Sequence, residues 1–508
     1  MSRQQLLIVG AGMAAMRAVE DLIDRAPDAF AITIVGAEPR PAYNRILLSP
    51  VLSGEKAFDD IVTHDDAWFA DNGVTYISGV RVDAVDRADR TATLSDGRVL
   101  NWDRLLLATG SDPIIIPIPG HDLPGVVPYR DLDDVDAMIA AGACNALVIG
   151  GGLLGLEAAA GLAARGAKTT VLHLMPWVME RQLDESAGAL LKADLERKGV
   201  EVVVKADTAG IEGDGQVERV LLKDGRSFDV DIVVMAVGIR PNVALAKTMG
   251  LEVERGIVVD DFMTTSDPAV FAVGECVQHR GVCYGLVAPL YESAKSLADR
   301  LAGIETAGYQ GSALSTRLKV TGVDLFSAGD FSGGPGTEDL VFRDAGRNVY
   351  KRLVVKDDVL IGAVLYGECA DGGWYFDLIR EGADIADIRD VMIFGRAFAE
   401  GTPADPKAAV AALPDASEIC GCNGVCKGTI VQAIAEKGLT TLDDVKAQTK
   451  ASASCGSCAG LVTSLLEVYA GVELAESADP PICKCTNHGH DHVRAQILER
   501  RLKSIPDV

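Results

Sequence analysis

An unbroken apolar run, Leu6-Leu7-Ile8-Val9, ends in a glycine turn, and this pattern predicts strand, turn, helix and strand over residues 1–38. Short Val/Ile/Leu-rich strands alternate with turns over 74–108, punctuated at Gly79 and Asp96-Gly97. A second strand–turn–helix–strand unit runs from Ala146 to Leu174. Strand signals return over 200–237, with turns at Asp214-Gly215 and Asp224-Gly225. Residues 270–306 read as strand then helix, and 314–366 as strands with Gly-rich turns such as Gly333-Gly334-Pro335-Gly336. Residues 419–470 hold two short helical patterns and a loop. The order predicts an α/β chain: two tandem Rossmann-like dinucleotide-binding domains, a small α+β domain and a small helical domain. Residues 401–418, with three Pro and six Ala, read as a linker. Tyr309, Trp374, Tyr375 and Phe376 are expected in the core of the third domain.

Composition narrows the partners. A formal net charge of −25 argues against nucleic acid and anionic membrane, both of which attract basic surfaces. No run approaches the roughly 18–20 apolar residues of a membrane span. The N-terminus lacks the charged, apolar and cleavage regions of a leader, so a cytoplasmic protein is expected. Of eleven Cys, seven follow residue 419 and six of those sit in close pairs, which fits metal ligation in a reducing compartment better than a disulfide framework.

Two glycine turns carry nucleotide chemistry. In Gly10-Ala11-Gly12-Met13-Ala14-Ala15, Gly10 permits the tight turn, Gly12 lets the backbone approach a pyrophosphate, and Ala15 allows close helix–strand packing. The phosphates then meet the free N–H groups of a helix N-terminus. Glu38, 28 residues after Gly10, stands where a carboxylate accepts both ribose hydroxyls of an adenosine. Arg45 is read as a contact to the flavin phosphates or ring, against a surface-loop alternative. Leu107-Ala108-Thr109-Gly110 ends another strand and closes the chain back on the nucleotide. The second turn, Gly150-Gly151-Gly152-Leu153-Leu154-Gly155, has Glu157 in the first turn of its helix. Its next strand ends at His173, which is neither the acid that marks NAD nor an Arg that marks NADP. NADH is expected, with NADPH left open through Arg181; a surface imidazole is the alternative for His173.

Cys420 and Cys422, thirty-two residues, then Cys455 and Cys458 form two close thiolate pairs. Such a set suits zinc or an iron–sulfur cluster. A chain with a flavin and a nicotinamide needs a one-electron carrier, which zinc is not, so the cluster is the reading adopted. Cys426 is read as a spectator, and Cys144, Cys276, Cys283 and Cys369 as small buried hydrophobes. Cys483, Cys485 and the run His488 to His492 are read as a polar helix cap rather than a zinc site.

Tandem dinucleotide folds with Ala236-Val237-Gly238-Ile239-Arg240-Pro241-Asn242 and Val270-Phe271-Ala272-Val273-Gly274-Glu275 resemble the FAD-dependent pyridine-nucleotide oxidoreductases. The resemblance implies FAD at the first turn and a nicotinamide nucleotide at the second. Glu275 replaces the Asp that in that family binds the ribityl chain, and Gly285 to Pro289 pass near the ring. The redox cysteine pair of the disulfide branch is missing, because no Cys precedes Cys144. The cysteine quartet is similar to bacterioferritin-associated ferredoxin, a small helical [2Fe-2S] fold. The combination resembles the large subunit of assimilatory NAD(P)H nitrite reductases, as do Ala42 to Ser49, Met179 to Asp184 and Ser315 to Val323.

The resemblance implies a division into 1–112 and 242–306 (FAD), 113–241 (NAD(P)H), 307–400 (α+β), 401–418 (linker), 419–470 ([2Fe-2S]) and 471–508 (a tail, opening a second cluster-type domain). It implies electron flow from NADH through FAD and [2Fe-2S] to sirohaem and [4Fe-4S] centres in a missing or partner module, where nitrite becomes ammonium. Expected partners are NAD(P)H and that module or a small subunit, with a homodimer left open. Two forms stay open: a piece of a longer enzyme, or a short electron-input protein. The alternatives are a ferredoxin-, rubredoxin- or nitrate-reductase-type electron-transfer subunit, an amine or opine dehydrogenase running in reverse, and a redox or iron sensor.

Overall fold

The computed structural model describes residues 3–318, 320, 322–400, 406–420, 423–453 and 458–471. The chain divides into a large unit through Gly401 and a small one from Thr402.

The large unit is built on two parallel sheets. The first runs Val270–Ala272, Arg104–Leu107, Gln4–Val9, Phe30–Gly36, Thr75–Ser78. Leu6, Leu7, Ile8, Leu105, Leu106 and Leu107 are all essentially fully buried. A parallel sheet is covered on both faces, so its strands are continuous apolar runs rather than alternating ones. Helices Met13–Arg25 and Val287–Leu301 pack side by side on it. Its edge strand Val270–Ala272 arrives more than 160 residues after Arg104–Leu107, its neighbour in the sheet. Between them lies the second parallel sheet, Val126–Pro128, Ile232–Met235, Asn145–Ile149, Lys168–His173, Val200–Val204. An antiparallel pair of crossing segments, Ser111–Pro113 with Ile239–Pro241, joins the two.

The third part is a five-stranded antiparallel sheet over 315–366, covered by helix Gly372–Glu381. Tyr375 is fully buried there and its hydroxyl donates to Met392 O at 2.6 Å. Trp374 and Phe376 pack against the same core. Tyr309 does not: it is buried in the first domain's core, against His279 and Tyr284. Tyr366 and Asn348 of the sheet donate to Asp194 of the second domain, which fixes the third part to the second.

The small unit is a hairpin, Glu418–Cys420 with Val425–Cys426, followed by helices Lys427–Lys437, Leu442–Thr449 and Ala459–Tyr469. Ile430, Ile434, Val445, Val462, Leu465 and Leu466 are its buried core. The expected linker 401–418 needs correcting. Residues Pro406–Ala412 form a helix that packs on Ala459–Tyr469, because its Ala and Val side chains supply an apolar face. Lys427 holds the end of this helix. Its buried ammonium donates to Ala411 O and Leu413 O, both at 2.7 Å, and lies over the Tyr469 ring.

Lys427→Met keeps the stem and removes the donor, leaving two acceptors unmatched, at a cost of about 1–3 kcal/mol. Denaturant unfolding of the full chain, followed by circular dichroism, is expected to show a lower midpoint for the small unit. An unchanged midpoint would contradict this role.

Candidate functional site

The two glycine turns contain glycines of two kinds. Gly10 has φ +108°, and a Cβ there would lie 2.2 Å from Ala108 O. The fold alone demands glycine at that point. Gly12 is different. It has extended backbone, and a Cβ there would meet nothing within 4 Å. It is also the N-cap of helix Met13–Arg25, with no side chain capping the first N–H groups. An open Cα beside uncapped N–H groups fits a diphosphate, which needs backbone donors without a side chain in the way. The second turn repeats the arrangement. A Cβ on Gly150 (φ +120°) would lie 2.3 Å from Ala236 O, and one on Gly155 only 1.9 Å from Gly150 O. Gly152 caps helix Leu153–Ala164 without a side-chain bond and has nothing within 4 Å. Ala15, in the place of Gly155, is fully buried with its Cβ accommodated.

Around the first turn the structure gathers residues far apart in sequence. Glu38 accepts from Tyr43 Oη at 2.7 Å and pairs with the Arg45 guanidinium. Burial and this carboxylate push the Tyr43 phenol up. Glu38 and Arg45, read as separate nucleotide contacts, are therefore an ion pair. Arg45 also donates to the carbonyl of Arg130 at 3.1 Å. Arg130 in turn donates to Glu275 Oε2 at 2.5 Å, and Ser111 donates to the same oxygen at 2.8 Å. Gly274, with φ +93°, brings this carboxylate to the helix, since its Cβ would lie 3.3 Å from that of Ala14. Gly110 lies beside the Arg130 guanidinium. Thr109 donates to Asn242 O at 2.7 Å and so serves the crossing segments. Arg130 and Ser111 escaped the sequence reading. The local sign was the Asp131/Asp134 capping box, which starts a helix directly after Arg130.

At the second turn, Glu157 is buried rather than open to the phosphates. Its carboxylate accepts from Ser49 Oγ at 2.5 Å, and Tyr129 Oη donates to that oxygen at 2.8 Å. Ser49 reaches it because Gly161 lets helix Leu48–Ser53 close on Leu153–Ala164: a Cβ there would strike Leu52. Gly238 has φ +126° and follows strand Ile232–Met235. His173 is buried, not a surface imidazole, with both ring nitrogens engaged.

In the small unit Cys420 and Cys458 are buried. Cys422 and Cys455 lie outside the described residues, as do Cys483, Cys485 and His488 to His492. Cys426 caps helix Lys427–Lys437. Burial works to raise its thiol, but Thr429 and the N–H groups of the helix's first turn leave it below the ordinary value. Buried thiols on a short hairpin and at a helix start suit soft-metal ligation.

The comparisons agree with this geometry. Residues 4–332 match the model of the pyridine nucleotide-disulphide oxidoreductases. The chain belongs to that family. Residues 315–383 match the rubredoxin NAD+ reductase C-terminal domain, and 418–468 the BFD-like [2Fe-2S] binding domain. The family implies FAD and NAD(P)H, and the last domain [2Fe-2S]. A nitrite reductase [NAD(P)H] of Bacillus subtilis is 46% identical over 100% of this chain and 63% of its own length. An assimilatory nitrate reductase electron transfer subunit of the same organism is 40% identical over 98% of this chain and 64% of its own. This chain thus spans under two thirds of either relative. A ferredoxin reductase of Rhodopseudomonas palustris shares the fold of the large unit, with TM-score 0.66, 26% identity, 73% of this chain and 92% of that one. Despite the family's name, no cysteine lies on helix Leu48–Ser53 or anywhere before Cys144. No helix of the described residues is long and apolar enough to cross a membrane.

Because Gly12 is open, Gly12→Val should fold but exclude the phosphates. The purified variant is expected to carry at least tenfold less flavin per chain at unchanged circular dichroism. Gly152→Val should keep its flavin and lose reduction by NADH. A full flavin complement in Gly12→Val would refute the assignment.

Proposed function

We propose that this oxidoreductase draws electrons from NADH into FAD held at the first glycine turn and on to [2Fe-2S] held by Cys420, Cys422, Cys455 and Cys458, for delivery to a sirohaem module that reduces nitrite. The observation that carries the reading is the repeated open glycine, Gly12 and Gly152, each at an uncapped helix start on its own parallel sheet. FAD is suited to the junction because it accepts a hydride pair and releases electrons singly.

The chain's own residues divide the work. Backbone N–H groups after Gly12 take the flavin's diphosphate. Ala15 seats the helix against the sheet, while Thr109, Gly110 and Gly238 shape the crossing that brings the two sheets together. Arg45 and Arg130 place two guanidinium groups around the same turn, and Glu38 and Glu275 fix their positions and remain acceptors for hydroxyls. N–H groups after Gly152 take the nicotinamide nucleotide's diphosphate. Glu157, with Ser49 and Tyr129, forms a buried hydrogen-bonded link between a helix of the flavin half and the start of the nicotinamide helix. With no cysteine pair beside the flavin half, electrons have no disulfide to enter, and the thiolate unit is the acceptor.

The similarity to the nitrite reductase supports this destination. The second relative supports a nitrate reductase as the alternative acceptor of the same electrons.

Anaerobic titration with NADH is expected to bleach the flavin and then develop the cluster's EPR signal. Cys455→Ser should retain flavin bleaching and lose transfer to the downstream acceptor. The 508-residue chain alone should reduce artificial dyes and leave nitrite untouched. Ammonium formed from nitrite by this chain alone would overturn the division of labour, as would full electron delivery by the Cys455→Ser variant.

A further inference from the structure

In a Rossmann unit the end of the second strand reads the 2′ position of the adenosine ribose. Here that strand, Lys168–His173, ends on an imidazole that is buried against the glycine turn. Gly151 N–H donates to His173 Nδ1 at 3.0 Å, and a Cβ on Gly151 would fall 2.8–3.0 Å from ring atoms. Since Nδ1 accepts, the ring proton is assigned to Nε2, which donates to Glu180 Oε2 at 3.0 Å. The loop carrying Glu180 is pinned to the same turn: Met179, at φ +54°, donates its N–H to Gly151 O at 2.9 Å. The result is a half-buried carboxylate hydrogen-bonded to the side chain that ends the strand. Its second oxygen, Oε1, makes no hydrogen bond among the described residues. Leu174 and Met175, which directly follow His173, are exposed apolar residues.

We propose that the His173–Glu180 pair determines nucleotide specificity, with Glu180 accepting from the ribose 2′-hydroxyl of NADH and repelling the 2′-phosphate of NADPH. This rests on the second glycine turn being the nicotinamide-nucleotide site. A hydroxyl donates to a carboxylate, whereas a phosphate brings only like charge against it, so one group both attracts the diol and rejects its phosphorylated form. Two cations lie on the adjoining segments: Arg181, directly after Glu180, and Lys205, whose N–H donates to Met175 O at 3.1 Å. Both are exposed, and neither is held by a bond to the turn.

Glu180→Gln removes the charge and keeps the shape. Two readings test it: the ratio of kcat/KM for NADH and NADPH with a dye acceptor, and calorimetric Kd values for ADP-ribose and 2′-phospho-ADP-ribose. The ratio is expected to fall at least tenfold, through a higher KM for NADH and a lower KM for NADPH, with flavin content unchanged. The Kd for 2′-phospho-ADP-ribose should tighten by a similar factor. His173→Gln, which releases the carboxylate, should move the ratio the same way. An unchanged ratio in Glu180→Gln, or equal loss with both nucleotides, overturns the inference while the site stands. A ratio governed by Arg181→Ala or Lys205→Ala instead also overturns it. Wild-type protein that binds neither ADP-ribose probe and oxidises neither nucleotide overturns the site and the inference together.

Discussion

A diphosphate is bulky and doubly charged, and the large unit presents bare backbone that suits one at each of two helix starts. N–H groups at a helix start can do this only where no side chain intervenes and no side chain has already capped them. Gly12 and Gly152 satisfy both conditions. Everything nearby follows from holding those turns open. Gly10 and Gly150 adopt φ values that bring the turn hard against the neighbouring strand's carbonyl, and buried parallel strands set the direction from which the helices leave. The glycines that the fold requires thereby frame the glycines that only a ligand would require.

The polar residues around the first turn form one connected set rather than a list of contacts. Tyr43, Glu38, Arg45, Arg130, Glu275 and Ser111 are linked in that order by hydrogen bonds, and Arg130 belongs to the set through both its carbonyl and its guanidinium. Each carboxylate has at least one cation or hydroxyl partner, which is what partly buried charge demands. Because Arg130 precedes the helix Leu132–Ala141, and Tyr129 just before it bonds Ser49, this one stretch ties the flavin-side residues to Glu157 on the nicotinamide helix.

The glycine turns and both apolar parallel sheets were legible because their signals are local: a run and a turn. Arg130 and Ser111 were not, since their partners lie 85 to 164 residues away and no periodicity encodes such a pairing. The burial of Glu157 was not legible. Its position in the helix is readable, but its burial depends on Gly161 admitting Leu52 from another domain. A surface imidazole was one of two readings of His173 because it ends a strand, and the partner that buries it, Gly151, stands 22 residues earlier. The Pro406–Ala412 helix was hidden by its proline and alanine content, which suits a linker as well as a helix start followed by helix formers.

The small unit obeys a different constraint. Its core is a handful of aliphatic side chains from short helices, too little apolar surface for a segment of this size to be secure by burial alone. Two features make up the difference within the chain itself. Lys427 ties the incoming helix to the start of the next, and helix Pro406–Ala412 adds apolar cover to Ala459–Tyr469. The [2Fe-2S] centre that the family match implies would add to this, because ligands scattered through an unfolded chain bind a metal centre far less well than ligands already gathered, and that difference is folding free energy. A centre of the kind bound by the family that matches residues 418–468 would therefore support the fold of this unit as well as its electron transfer.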